Sequence, residues 1–187
     1  PLVNRLAAWQ ISPNQVTVSA ISLSGATGLA LVQSTQLAIA FLPTTQAVLL
    51  SVPIVLLIRM ALNAIDGMLA RENEQTTNFG CILNELGDVL SDIALYLPFS
   101  LIAGVSAPLI VGIVILAIAS EMVGVLGYEI AQKRHYEGPM GKSDRAFIFG
   151  SIGLTLGLGI APTQWLTFLL SAVILLQVWT MINRIQA

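Results

Sequence analysis

Three long stretches of this sequence contain no Asp, Glu, Lys or Arg. They lie between Arg5 and Arg59, between Asp92 and Glu121, and between Arg145 and Arg184. A helix that crosses a membrane needs about 20 mostly apolar residues, and each stretch is long enough to contain at least one. Only 10% of all residues are charged, whereas a soluble domain has about a quarter. The sequence therefore predicts a membrane protein.

Six segments are long and apolar enough to span a membrane once small and hydroxyl residues are allowed. Ser12-Pro13-Asn14 is typical of a helix start, Pro108 lies in the first turn of the fourth segment, and Ala161-Pro162-Thr163 separates the last two. Gly153 and Gly157 have the spacing of close helix packing. Residues 37–41 could extend the first helix or belong to a loop. The predicted spans are 15–33, 47–69, 80–103, 107–133, 144–160 and 163–183.

Charged residues between the predicted spans indicate the orientation of the chain. Lys and Arg occur at both ends and in the second and fourth connections, whereas the other three connections carry no charge. Because cytoplasmic loops are enriched in Lys and Arg, both termini are predicted to face the cytoplasm. We expect an all-α bundle of six transmembrane helices forming one domain over residues 1–187, with a short interfacial helix in residues 1–10.

Composition also limits the partners of this chain. The net charge is −2, and Lys133-Arg134 is the longest run of basic residues, so nucleic-acid binding is not expected. The single cysteine, Cys81, excludes an intrachain disulfide. The expected partners are membrane lipid and a second copy of the chain.

Residues 63–92 hold six of the ten Asp and Glu residues. Asn63 and Asp66 are three apart, and Asn84 and Asp88 are four apart, so each pair lies on one helix face. Two facing helices would bring four oxygen-bearing side chains to one point, which suits a hard cation such as Mg²⁺. One or two of the acids could instead form structural ion pairs with Arg59 or Arg71. The remaining loop acids, Glu72 and Glu74, are predicted to be solvated.

The segment between these two pairs has features of a nucleotide site. Gly67, Ala70 and Gly80 are small enough to let a flat ring or a diphosphate approach the backbone. Arg71 can bind phosphate oxygens with its planar guanidinium. Together these residues predict a nucleotide diphosphate bound beside a metal.

The same stretch resembles the signature of the CDP-alcohol phosphotransferase (phosphatidyltransferase) family, written D-x2-D-G-x2-A-R-x8-G-x3-D-x3-D. Six of its eight positions match with every spacing kept, and Asn63 and Asn84 replace two aspartates. IRMALNAIDGMLARE, ILNELGDVLSDIALYLPF and GPMGKSDRAFIFG are similar to a bacterial inner-membrane branch of the family, the YnbA-like proteins.

This resemblance implies a reaction and a set of site residues. Family members are six-helix dimers that move a substituted phosphate from a CDP-linked donor, often CDP-diacylglycerol, to an alcohol and release CMP with Mg²⁺ or Mn²⁺. By position, Asp88 is then the base for the acceptor hydroxyl. The metal site corresponds to Asn63, Asp66, Asn84 and Asp88, and the CMP site to Gly67, Ala70, Arg71 and Gly80.

The two asparagines alter the charge of the implied metal site. Two carboxylates leave a formal charge of +2 on two magnesium ions, which a bound diphosphate could balance. Metal binding could therefore depend on the nucleotide, or only one ion could bind tightly. Two alternative functions stay open: a family member that has lost catalysis and binds lipid or nucleotide, and a cation-coupled transporter.

A second polar cluster occupies residues 138–147. Lys142 and Arg145 are predicted to contact an acceptor or lipid phosphate, although cations at this boundary could simply set topology or touch headgroups. Ser143 is the expected N-cap of the fifth helix. Within the fourth helix, Glu121 could line an acceptor cavity or bond across helices, and Asp92 could serve as a supplementary acid one turn beyond Asp88.

Overall fold

The computed structural model describes residues 5–6, 8–36, 44–72, 75–131 and 138–186, with the backbone alone at 128–131. Within these ranges the chain is helical and forms no strand, which confirms the predicted all-α class. A 3₁₀ turn, Leu97–Leu101, follows the third helix. The six helices are α1 (Pro13–Gln36), α2 (Thr45–Glu72), α3 (Asn78–Tyr96), α4 (Ala107–Ala131), α5 (Lys142–Gly157) and α6 (Gln164–Gln186).

Four of these helices are long and apolar enough to cross a membrane: α1, α2, α6 and the Ala107–Gly127 part of α4. The chain is therefore a multi-pass membrane protein, while membrane crossing by α3 and α5 stays a prediction. The predicted interfacial helix lies partly outside the described residues, and residues 37–41 lie wholly outside them. Arg5, Leu6 and Ala8 have helical backbone, but an interfacial position for them stays a prediction.

Local hydrogen bonds explain where two of the helices begin. At the start of α1, the Gln15 amide donates to Ser12 Oγ (3.3 Å) and the Ser12 amide donates to Gln15 Oε1 (2.9 Å), a reciprocal cap. The predicted start signal is thus confirmed. The predicted N-cap Ser143 is wrong, since α5 already begins at Lys142. The Asp144 carboxylate accepts a hydrogen bond from the Gly141 amide (2.8 Å), so the cap lies two residues earlier.

The third span was predicted to end at residue 103, but its α-helix ends earlier. α3 ends at Tyr96, and the chain continues as the 3₁₀ turn because Pro98 has no amide hydrogen to donate to the α-helical ladder. Tyr96 stacks on Phe149 of α5 with ring centroids 4.0 Å apart, and Phe99 meets Phe149 edge to face at 5.4 Å. Aromatic packing of this kind holds the turn against α5.

Glycines allow several helices to approach closely. A Cβ at Gly153 would lie 3.1 Å from the Leu49 carbonyl oxygen, and one at Gly157 would lie 2.9 Å from the Leu50 amide. The predicted close packing at these two glycines is confirmed, with α2 as the neighbour. Helix α1 contacts both α2 and α3, and α4 contacts α6.

Helix α6 shows how the interior changes along the bundle. Its buried face is apolar in the first half, at Leu166, Leu170 and Val173, and polar in the second half, which includes Thr180 and Arg184. The polar end of α6 lies at the same end of the bundle as the starts of α3 and α5. The candidate site lies there, at the end predicted to face the cytoplasm.

Candidate functional site

A cavity of about 210 Å³, called here the first cavity, lies where the starts of α1 and α3 meet the end of α2. All four residues predicted to hold CMP line it, together with Asp66 and Asn84. A Cβ at Gly67 would have only Arg71 Nη2 within 4 Å, at 3.8 Å, so this wall is open. The full lining is Pro13, Asn14, Thr17, Asp66, Gly67, Ala70, Arg71, Gln75, Thr76, Thr77, Gly80, Cys81 and Asn84.

A second cavity of about 380 Å³ lies between α3, α4, α6 and the start of α5. It shares Asn84 with the first cavity, so the two cavities meet at this side chain. Its lining is Asn84, Glu85, Asp88, Glu121, Gly141, Lys142, Ser143, Asp144 and Arg184. Three of the four predicted metal ligands therefore border one or both cavities, and Asn63 contacts one of those three.

Both carboxylate oxygens of Asp88 have partners. Asn63 Nδ2 donates to Oδ1 at 2.7 Å, and the Lys142 ammonium forms an ion pair with Oδ2. Arg59 donates to the Asp88 backbone carbonyl at 3.0 Å, and its guanidinium lies 3.6 Å from Oδ1. The Asp88 side chain is still 18% exposed, so it is held in place and remains open to the second cavity.

Asp66 is buried, and its Oδ2 accepts a hydrogen bond of 2.8 Å from Thr17 Oγ1 of α1. Asn14, one turn earlier on α1, lies beside the backbone of Gly80, since a Cβ there would be 2.9 Å from Asn14 Oδ1. Neither contribution is predicted by a sequence pattern, because hydroxyl and amide side chains are common along membrane helices. α1 was predicted only as a span.

The donor set fits a hard divalent cation that shares its shell with a phosphate. It would consist of two carboxylates and two amide side chains, all offering oxygen, which Mg²⁺ and Mn²⁺ accept. Among the described residues, no group of three or more Asp, Glu, His or Cys side chains could hold a metal. The negative charge needed to balance a second metal ion would therefore have to come from a bound anion.

Asp92 lies one turn beyond Asp88 but has different neighbours. Its Oδ1 accepts from Arg59 Nη1 at 2.5 Å, and its Oδ2 accepts from Arg145 Nη2 at 2.9 Å and Nε at 3.2 Å. Arg145 Nη2 also donates to Glu121 Oε1 at 3.0 Å, and Arg184 Nη1 lies 3.9 Å from the same oxygen. The alternative prediction, that one of the acids forms a structural ion pair with Arg59, is correct for Asp92. We call Arg59, Asp92, Arg145, Glu121 and Arg184 the buried charge chain.

The two cations predicted to contact phosphate differ in this structure. Lys142 lines the second cavity, whereas the Arg145 side chain is 1% exposed, lines neither described cavity and is paired with Asp92 and Glu121. Glu121 bonds across helices, as one of its two predicted alternatives requires, and it also lines the second cavity, whose use by an acceptor stays a prediction. Arg184 also lines this cavity. Sequence reasoning missed it because a single cation at a helix end ordinarily reflects topology.

Comparison with known proteins decides the family. The model of CDP-alcohol phosphatidyltransferases matches residues 10–183, nearly the whole chain. The chain belongs to the CDP-alcohol phosphatidyltransferase family. Members of this family are transferases of substituted phosphate groups, so the protein is a membrane transferase of phospholipid biosynthesis, as the resemblance implied.

Individual relatives agree with this membership. The chain is 45% identical over 184 residues to the inner membrane protein YnbA of Escherichia coli (strain K12), covering 98% of this chain and 87% of YnbA. The fold is similar to that of Mycobacterium tuberculosis phosphatidylinositol phosphate synthase (PgsA1). The crystal structure of PgsA1 with CDP-DAG bound aligns at a TM-score of 0.76 with 19% identity, over 100% of this chain and 90% of that one.

A second PgsA1 crystal structure, in complex with manganese and citrate, aligns equally well. Its TM-score is 0.76 with 18% identity, over 100% of this chain and 86% of that one. This CDP-alcohol phosphatidyltransferase family member therefore shares its fold with a protein crystallised both with a CDP-linked lipid and with a divalent metal.

Proposed function

We propose that the protein transfers a phosphatidyl group from CDP-diacylglycerol to an alcohol and releases CMP, in the inner membrane of a bacterium. The observation that carries this proposal is the meeting of two cavities at Asn84, with Asp66 lining one and Asp88 lining the other. A donor in the first cavity and an acceptor in the second would then meet beside these carboxylates. CDP-DAG bound to PgsA1, a protein of the same fold, supports the choice of donor.

The first cavity suits the CMP part of such a donor. Gly67, Ala70 and Gly80 leave room for a ring or a diphosphate, and Arg71 is exposed and can bind phosphate oxygens in a bidentate manner. Thr17 fixes the Asp66 carboxylate at the inner wall of this cavity. We therefore assign nucleotide binding to these residues.

Asn63, Asp66, Asn84 and Asp88 would hold Mg²⁺ or Mn²⁺. When bound, the ion would neutralise charge on the diphosphate and on the departing CMP. Asn63 already donates its amide nitrogen to Asp88, which leaves its carbonyl oxygen as the atom it would offer. Because Asp66 and Asp88 are the only carboxylates in this set, we infer that tight metal binding requires the nucleotide.

Asp88 is our candidate base. The acceptor oxygen attacks the phosphorus of the phosphatidyl group, the bond from that phosphorus to the CMP oxygen breaks, and the acceptor proton moves to the Asp88 carboxylate. Lys142 lies on the same carboxylate and lines the second cavity, so we retain it as an acceptor contact. A direct phosphate contact by Arg145 would require its two ion pairs to open, so we assign it a positioning role.

The remaining features of this proposal concern the whole chain. Four of these features stay predictions: the six membrane spans, the cytoplasmic side of the site and of both termini, the single domain over residues 1–187, and the homodimer. Support for the orientation comes from the sequence, because the connections and chain ends on the side of the site carry the Lys and Arg residues that are typical of cytoplasmic loops.

CMP release tests the proposal. Purified protein supplied with CDP-diacylglycerol, Mg²⁺ and a panel of alcohols should release CMP, and Asp88→Ala should abolish this release. Glu72→Gln is the matched control, because Glu72 is exposed and lines neither described cavity. Binding of CDP-diacylglycerol without CMP release would favour a family member that has lost catalysis. Absence of any CDP-lipid binding would refute the proposal.

A further inference from the structure

The Lys142 ammonium contacts the carboxylate to which the proposed function assigns both metal binding and proton acceptance. It pairs with Asp88 Oδ2, while Asn63 Nδ2 donates to Oδ1 at 2.7 Å. We propose that Lys142 competes with the divalent cation for Asp88, and that cation binding releases Lys142 into the second cavity as an acceptor ligand. This inference rests on the proposed function and adds an order to it, because the acceptor contact then forms after the metal has bound.

The partners of Asp88 differ in whether they can share it with a cation. Asn63 has a carbonyl oxygen beside the nitrogen that donates to Asp88, so it can offer a ligand to the same cation. Arg59 is anchored to Asp92 and to the Asp88 backbone carbonyl. The Lys142 ammonium has hydrogen-bond donors but no acceptor, and it repels a cation at short range. Lys142 is therefore the partner that has to leave when Asp88 binds a metal.

The backbone that precedes Lys142 is anchored to α6, so the exchange involves the side chain alone. The Met140 amide donates to Thr180 Oγ1 at 2.9 Å, and Met140 is 2% exposed. At Gly138, where φ is +133°, a Cβ would lie 2.7 Å from Thr180 Cα, so the chain passes directly against this helix. These contacts fix the point from which the Lys142 side chain extends.

The second cavity gives the released side chain a place to bind. Lys142 lines this cavity of about 380 Å³, and its side chain is 29% exposed. The stem of a lysine is flexible, so the ammonium can turn from Asp88 and donate a hydrogen bond to an acceptor oxygen. The coupling is reciprocal, because an acceptor that draws the ammonium away from Asp88 raises metal affinity by the factor by which the metal raises acceptor affinity.

Metal affinity tests the competition without any turnover. Lys142→Met and Lys142→Gln remove the ammonium, and each should bind Mn²⁺ at least about tenfold more tightly than wild type, measured by calorimetry without nucleotide. Lys142→Arg keeps a cation beside Asp88 and should stay within about threefold of wild type. Arg5→Met is the control for the loss of one positive charge. Arg5 is exposed and lines neither described cavity, so this variant should leave Mn²⁺ affinity unchanged.

Kinetics test the acceptor role of the released side chain. With the alcohol of the panel that gives the fastest CMP release, Lys142→Met should need less Mn²⁺ for its half-maximal rate. The KM for that alcohol should rise by about fivefold or more, because a binding contact is lost. A merely structural role for Lys142 would not shift the two requirements in opposite directions.

The outcomes separate this inference from the proposed function. Unchanged or weaker Mn²⁺ binding in both neutral variants would overturn the competition and leave the transferase standing. An unchanged KM for the alcohol would overturn the acceptor role. Failure of wild type to release CMP with every alcohol would instead refute the proposed function.

Discussion

At the scale of single residues, identical side chains on one helix have different roles because their neighbours differ. Asp88 and Asp92 are four apart on α3 and share a face, as their spacing predicted. Asp88 is 18% exposed and lines the second cavity, whereas Asp92 is 7% exposed and lies between two buried arginines. Spacing identifies the face of a helix but not the helix that it meets. The sequence could therefore not predict which of the two acids lines a cavity and which forms buried ion pairs.

The candidate metal site can be tested by replacing each of its asparagines with aspartate, which restores a negative charge that the family signature has at that position. Asn84→Asp should raise the affinity for Mn²⁺, measured by calorimetry without nucleotide, by about tenfold, because a carboxylate binds a hard cation more strongly than an amide. Asn63→Asp should act in the same direction. It also brings a second carboxylate next to Asp88, where Asn63 now donates a hydrogen bond of 2.7 Å, and a cation would relieve that repulsion.

Asn78→Asp is the control for this pair of variants. Asn78 is exposed at the first residue of α3 and lines neither described cavity, so the same substitution should leave Mn²⁺ affinity unchanged. If neither Asn84→Asp nor Asn63→Asp binds Mn²⁺ more tightly than Asn78→Asp does, the Asn84 and Asn63 side chains are not part of the metal site.

At the scale of helices, the sequence predicts the features that depend on residues close together in the chain, such as the start of a helix. The reciprocal cap of Ser12 and Gln15 sets the start of α1, and such a cap involves only four consecutive residues. Lys142 and Arg145 illustrate the limit. They are three apart in one cluster and had the same prediction, but only Lys142 lines a cavity. The pairing of Arg145 with Asp92 joins residues 53 positions apart, and no local pattern contains that distance.

Two glycines of α1 provide a matched test of helix packing. A Cβ at Gly28 would lie 2.0 Å from the Ala94 carbonyl oxygen of α3, whereas a Cβ at Gly25 would have no atom within 4 Å. Gly28→Ala should therefore destabilise the protein by about 1–3 kcal/mol, because backbone atoms must move apart. Gly25→Ala should be neutral or slightly stabilising, since alanine favours helix more than glycine does. Thermal unfolding in detergent measures both, and equal melting temperatures would contradict the close approach of α1 and α3.

At the scale of the whole molecule, the buried charge chain joins five helices near the candidate site. Arg59 belongs to α2, Asp92 to α3, Arg145 to α5, Glu121 to α4 and Arg184 to α6. Charges alternate along the chain, so each carboxylate lies between two arginines. Through Arg59 the chain reaches the backbone carbonyl of Asp88. The position of the candidate base therefore depends on contacts that extend across the bundle.

Removing the central carboxylate should disrupt this arrangement. Asp92→Asn keeps the shape of the side chain but leaves Arg59 and Arg145 buried without their shared partner, which should destabilise the protein by about 3 kcal/mol or more. Glu72→Gln, at an exposed position, should change stability by less than about 0.5 kcal/mol. Because an uncharged side chain at position 145 no longer needs Asp92, the double variant Asp92→Asn/Arg145→Met should be less destabilised than the sum of its single variants. Strict additivity in thermal unfolding would show that the two residues are not energetically coupled, and the buried charge chain would then not hold the helices together.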